Sequence, residues 1–215
     1  MPRMALLHRA EIRPTKLELL TAWLPSRGWY QGDAAAEVVR VAAYRFDDPA
    51  GEVGIETLLV RAGAGPVHQV PLTYRGAPLP SADAWLIGTT EHSVLGTRWV
   101  YDACADPVYA AALADAVLAG TGQAEEYFEV DGHREVRAPN MEITSDSGGI
   151  DVPTVGAVRR VVDGTLTVIV TDTVELTLLR RPDAAAGGPP AGVGAATLTG
   201  AWDDVTMPLA YASVR

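Results

Sequence analysis

Apolar residues along this chain gather in short strand-like runs separated by glycine, proline and aspartate clusters. EVVRVAAYRF (37–46) alternates and stops at Asp47-Asp48-Pro49-Ala50-Gly51. GIETLLVR (54–61) ends at Gly63-Ala64-Gly65-Pro66, and VHQVPLTYR (67–75) ends at Gly76. AWLIGTTEHS (84–93) and TRWVY (97–101) follow, and MALLHRAEI (4–12) predicts a strand ahead of them all. Period-2 runs broken by turn residues at this spacing predict an antiparallel meander. Pro71 cannot donate to a ladder, so it belongs on an edge strand or at a bulge.

Two stretches follow helical spacing instead. Thr15 is placed to cap a helix, with Glu18 three residues on as its capping-box partner. Leu17, Leu20, Trp23 and Leu24 then share one face, and Pro25 and Gly28 end the helix. Asp106-Pro107 is an N-cap followed by proline at the first helical position, and VYAAALADAVLAG runs on to Gly120 as C-cap.

The last third is strand-like again. VRRVV (158–162) and TLTVIV (165–170) flank Asp163-Gly164, which predicts a tight type I′ hairpin. VELTLLRR (174–181), TLTGAW (197–202) and VTMPLAYA (205–212) follow. DAAAGGPPAGVGAA (183–196) lacks the apolar surface to order itself and reads as a mobile loop. There is no repeat of solenoid period. The fold class is therefore α+β: a largely antiparallel, curved sheet with two main helices.

Composition narrows the function classes. A chain of 215 residues with 48% hydrophobic and 20% charged residues can form a core without staples. Its formal net charge of −10 argues against nucleic acid, whose phosphates need clustered cations. The lone cysteine, Cys104, excludes an internal disulfide and fits a reducing compartment. No apolar run reaches the roughly 20 residues of a membrane span. The first apolar stretch is too short for a signal peptide and is interrupted by His8 and Arg9, so the expected location is cytoplasmic.

Candidate chemistry is sparse. His8, His68, His92 and His133 have no metal-ligand spacing, and no metal or cofactor is expected. Cys104 has no histidine near it in sequence and reads as a buried structural thiol. Glu91 and His92 are a candidate acid–base pair, but neighbours on a strand point to opposite faces and need a turn to converge. Ser145-Asp146-Ser147-Gly148-Gly149 lacks the frame and lysine of a phosphate loop and reads as an ordinary loop. Trp29, Tyr30, Trp85, Trp99 and Trp202 are candidates for a stacking platform, against the plainer alternative of core packing. Trp29, Tyr30, Trp85, Glu91, His92 and Trp99 are thus the candidate ligand or partner contacts.

Several segments in shared order resemble the N-terminal region of actinobacterial maltokinases. The segment WLPSRGWYQGD supplies Trp23, then Trp29-Tyr30 before Gly32. VHQVPLTYR supplies Gln69-Val70, VYDACADPVYAAAL supplies Tyr101-Asp102-Ala103, and the basic pair before the loop is Arg180-Arg181. The composition, rich in Ala, Gly, Pro, Val and Arg, fits the coding bias of such a GC-rich bacterium. The resemblance implies a cap-like subdomain over 1–138 and a kinase small-lobe-like, β-rich subdomain over 139–215, packed as one module.

The family's functional positions are not retained. The nucleotide-anchoring lysine of the small lobe falls on Thr177, and the Ser-Asn pair of its phosphate loop falls on Gly164-Thr165. Lys16 is the only lysine among the 17 basic residues, and it lies in the first helix. Arg180 offers charge but not a lysine's geometry. The His-x-Asp catalytic loop and the magnesium-binding aspartate of the family lie beyond the length of this chain. These departures lead to the expectation of a non-catalytic accessory or regulatory partner in bacterial α-glucan metabolism (trehalose, maltose, glycogen). An α-glucan-binding module is the alternative. An α-glucan-active enzyme such as a branching activity is a further one, although the β/α alternation of the barrel enzymes is missing.

Overall fold

The computed structural model describes residues 4–7, 10–130, 132–185 and 196–215. In chain order the first strands are β1 (Met4–Leu7), β2 (Ile12–Arg13), β3 (Val38–Phe46), β4 (Gly54–Ala62), β5 (His68–Arg75), β6 (Leu86–His92) and β7 (Gly96–Asp102). After them come β8 (Glu125–Val130), β9 (His133–Val136) and β10 (Glu142–Ser145), then β11 (Val158–Val162), β12 (Leu166–Thr171) and β13 (Val174–Leu179), and last β14 (Ala196–Trp202) and β15 (Val205–Val214). The helices are α1 (Lys16–Trp23) and α2 (Pro107–Ala114). The class is α+β, as the patterning predicts. None of the described helices is long and apolar enough to cross a bilayer.

The strands form two six-stranded antiparallel sheets, ordered β2-β6-β7-β5-β4-β3 and β10-β14-β15-β13-β12-β11, with a small third sheet β1-β8-β9. β3, β4 and β5 are the expected meander. The meander then breaks, because the chain crosses over and β7 rather than β6 pairs with β5. The stretch 4–12 is not one strand either: β1 pairs in parallel with β8, while β2 pairs with β6 in another sheet.

Pro71 lies on an interior strand, at a place where that strand behaves as an edge. β4 pairs with β5 along its length, but β7 pairs only from Leu72 onward. A ladder donor at Pro71, pointing away from β4 like the N–H of Gln69, would have no strand to meet.

Both helices begin as their sequences dictate. Thr15 and Glu18 close a reciprocal capping box on α1, and the Asp106 carboxylate accepts from the Val108 N–H at the start of α2. α2 runs into a π-helical turn, Asp115–Ala119, which Gly120 ends at a φ of 67°, a left-handed value that favours glycine.

The first sheet is buried on both faces. On one face α1 brings Leu20, Trp23 and Leu24 against Leu58, Val60, Val70, Leu72 and Val100. On the other, Tyr44, Phe46, Ile55 and Leu59 join a larger core with α2 and the second sheet, including Leu113, Ile169, Leu176, Leu178 and Leu209. The alanines of α2 permit this close approach to both sheets. Strands β8, β9 and β10 are additional to the sequence reading. The aromatic pair Tyr127-Phe128 and the alternation of EITS are the signals that mark β8 and β10. Of the stretch 183–196, Pro182–Ala185 form a 3₁₀ turn, and 186–195 lie outside the described residues.

Leu113 is fully buried in the shared core. Leu113→Ala is expected to cost about 3 kcal/mol, within the usual range of about 2–5 for a buried leucine. Urea unfolding would register this as a lower midpoint with an unchanged slope.

Candidate functional site

The residues that carry the sequence resemblance meet at the seam between the two large sheets. Arg180 directly follows β13. Its backbone N–H bonds the Thr165 carbonyl at 2.9 Å, and its own carbonyl accepts the Gln69 N–H at 2.8 Å. The guanidinium is fully buried. Its Nη2 donates to Asp102 Oδ2 at 2.6 Å and reaches Cys104 Sγ at 3.3 Å, while Nε donates to Thr167 Oγ1 at 2.9 Å. The Trp29 ring covers the guanidinium, 4.5 Å away. The Trp29 Nε1–H donates to Asp163 Oδ1 at 2.9 Å, and that oxygen lies 3.6 Å from Arg180 Nη2. Burial works against the charge of Arg180, but Asp102, Cys104 and Asp163 together outweigh it, so the pKa is raised. Burial pushes the Cys104 thiol well up, as suits an unreactive structural cysteine.

Asp163 explains the geometry of its turn. The tight type I′ hairpin needs positive φ at both central residues, and neither Asp163 nor Gly164 has it. The last pair between the two strands is Val162 with Val168, which leaves 163–167 between the paired positions, wider than a tight turn. The Thr167 hydroxyl donates to the Gly164 carbonyl inside it, and the Asp163 carboxylate receives the Trp29 indole. The tight turn expected from the sequence gives way to a loop shaped by these two bonds.

Gln69 is a second fastening between the sheets. Its buried amide donates to the carbonyls of Leu179 and Leu209, each at 2.9 Å, and accepts from the Tyr44 hydroxyl at 3.1 Å. A third surrounds His68. The Gln31 N–H donates to His68 Nε2 at 3.1 Å, Tyr30 stacks at 4.9 Å between ring centres, and Arg181 bonds the Gln31 side chain. An accepting Nε2 requires a neutral ring. Burial, with the Arg181 charge beside it, lowers the His68 pKa to about 4.

The sequence candidates therefore separate in space. Trp29 is buried and Tyr30 half-buried, side by side at the seam. Trp85 is half-buried against the shared core, and Trp202 is within it. Trp99 is half-buried on β7, opposite Thr89. Glu91 is exposed and accepts from the Thr97 hydroxyl at 2.8 Å, while His92 Nδ1 accepts the N–H groups of Val94 and Leu95. No ring contact among the described residues joins Trp85 or Trp99 to the Trp29–Tyr30 pair. Thr177 is buried between Val168 and Tyr211 in the sheet. Ser145 and Ser147 donate to the carbonyls of Val117 and Leu118, each at 2.5 Å, which ties the 145–149 segment to the end of the π-helical turn. His8 lies outside the described residues. Among the described residues there is no group of three or more His, Cys, Asp or Glu side chains placed to hold a metal.

A charged network beside α1 is not assigned by the sequence reading. The one lysine, Lys16, meets Glu56 Oε2 at 2.5 Å, and the Tyr74 hydroxyl donates to the same oxygen at 2.8 Å. Arg45 Nη2 donates to Glu56 Oε1 at 2.9 Å, and Arg45 Nε lies 3.2 Å from Glu126 Oε1. Arg137 Nη1 completes the chain to Glu126 Oε2 at 3.1 Å. Burial would raise the Glu56 pKa, but Arg45 and Lys16 outweigh it and hold the carboxyl far below the usual range. The sequence signal was a glutamate on the α1-facing side of an apolar strand, Gly54–Ala62.

Residues 23–106 match the family model described as the maltokinase N-terminal cap domain. The match runs from the end of α1 through β7 to the N-cap of α2, and so takes in Trp23, Trp29, Gln69 and Asp102. No curated protein matches the chain.

Two measurements check this geometry. Asp102→Asn and Arg180→Met should each destabilise by about 3–5 kcal/mol, because each leaves a buried polar partner stranded. The Asp102→Leu, Arg180→Met pair should lose less than the sum of its single changes, giving a clear coupling energy in a double-mutant cycle.

His68 supplies the second. Its folded pKa of about 4 lies below the ordinary value of 6.5, so the unfolded chain binds the extra proton between them. Its contribution is complete above pH 6.5 and is lost as pH falls toward 4. Across the window from 6.5 to about 4, at about 1.4 kcal/mol per pH unit, the full effect is about 3–4 kcal/mol. Stability measured against pH should slope less in this window for His68→Gln than for the parent.

Proposed function

We propose, from the premise that residues 23–106 form a maltokinase cap-like domain, that this chain is a non-catalytic accessory module that docks on an enzyme of bacterial α-glucan metabolism. The observation that carries this reading is the state of Arg180. In a phosphoryl-transfer site the cation of the small lobe must reach the nucleotide phosphates. Here the candidate cation is fully buried, paired with Asp102 and roofed by Trp29. Thr177, at the position of the family's lysine, is neutral and buried in the sheet. Lys16 is engaged with Glu56. The groups nearest to a phosphate-binding role instead hold two sheets together, which supports a docking role over transfer chemistry. The net charge of −10 favours a partner with a basic surface.

Affinity capture with the tagged full chain from a native host should recover an enzyme that makes or consumes trehalose, maltose or glycogen. Recovery of none of these would count against the partner class. ATP titrated calorimetrically should give no binding heat, and phosphoryl transfer to maltose would overturn the non-catalytic reading.

A further inference from the structure

A cavity of about 350 Å³ opens over the charged network where β3 meets β8 and the segment 136–143. Its lining combines three guanidinium groups, Arg40, Arg45 and Arg137, with four carboxylates, Glu56, Glu125, Glu126 and Glu142. The inner members are already paired. Glu56 is held by Lys16, Arg45 and Tyr74, and Glu126 by Arg45 and Arg137. The rim differs. Among the described residues Arg40, Glu125 and Glu142 have neither an ion pair nor a side-chain hydrogen bond, and all three are exposed. Asn140 spends its Oδ1 on the Ala43 N–H at 3.1 Å, which leaves its amide N–H groups to donate.

We propose that this cavity binds a neutral, polyhydroxylated small molecule. The charge balance decides against simple ions: the unpaired rim groups, Arg40 with Glu125 and Glu142, carry both signs, so an anion or a cation meets a like charge beside an opposite one. A hydroxyl-rich neutral ligand uses both signs, because each hydroxyl donates to a carboxylate and accepts from a guanidinium or amide N–H. The paired floor fixes Arg45 and Glu126 in place, so ordering them costs little on binding. Ala43, Ala124, Val136, Pro139 and Ile143 present apolar surface for the carbon faces of such a ligand. The volume lies at the lower end of ligand pockets, about 300–1,000 Å³, and suits one or two rings. This site is separate from the tryptophans and does not depend on the accessory reading, whose test is capture of a partner.

The full chain would be titrated with myo-inositol, glucose and maltose, and with inorganic phosphate, glutamate and glycine betaine as charged controls. At least one neutral polyol should bind at a single site with a Kd of ~1 mM or below, and the controls should give no heat. Amide chemical shifts should move at Ala43 and Asn140. Arg40→Gln and Glu142→Gln remove rim groups that support nothing else, so each should weaken binding about tenfold with an unchanged urea midpoint. The proposal is overturned if no polyol binds at ~50 mM, if phosphate or glutamate binds more tightly than every polyol, or if neither rim variant alters affinity.

Discussion

The buried ion pair between Arg180 and Asp102 is the constraint around which the rest is arranged. A guanidinium withdrawn from water loses several kcal/mol of hydration. The loss is bearable only if a carboxylate, further acceptors and a polarisable ring replace the solvent together. Asp102, Thr167, Asp163 and Trp29 do so, and they come from three separate parts of the chain. Each must be in place for the others to be stable. The ion pair therefore fixes the relative position of β7, β12, the 163–167 loop and the loop after α1. An apolar seam would hold these pieces with less directional preference.

The same requirement accounts for the aromatic cluster. Trp29 has one face on Arg180, its N–H on Asp163 and its edge toward Trp23, whose ring centre is 6.0 Å away. Each interaction depends on water being excluded. A tryptophan so engaged shields the Arg180 charge from water. The Lys16–Glu56–Arg45 network is a second arrangement of the same type, on the α1-facing side of the first sheet. It differs in opening to solvent at one end, where unpaired rim charges remain.

The sequence made the local features legible and left the long-range ones hidden. Capping at Thr15 and Asp106, termination at Gly120 and the strand-like runs of β3, β4, β12 and β13 are all written within a few residues of where they act. The residues of the cap-like motif were also identifiable in order. Their meeting at one buried cation was not, because Asp102 and Arg180 are 78 positions apart and nothing local marks them as partners. The Asp163-Gly164 turn was misjudged for the same reason. Its dipeptide favours a tight turn, and a distant indole sets a wider one. Pro71 satisfied its local rule in an unforeseen way, through the early end of β7 rather than through a place at the sheet's edge.

The cap-like match ends at Asp106, and this residue is a poor place to divide the molecule. Asp106 caps α2 and takes both ends of the Arg75 guanidinium at 2.7 Å. Beyond it, α2 and the second sheet cover Tyr44, Phe46, Ile55 and Leu59. Cut at that point, the first sheet would present a whole apolar face to water, and Arg180 would no longer complete the environment of Asp102. The matched segment is thus smaller than the packed unit that surrounds it. A gene fragment limited to residues 23–106 would leave that face uncovered, so fusion or truncation schemes should keep the two sheets and α2 together.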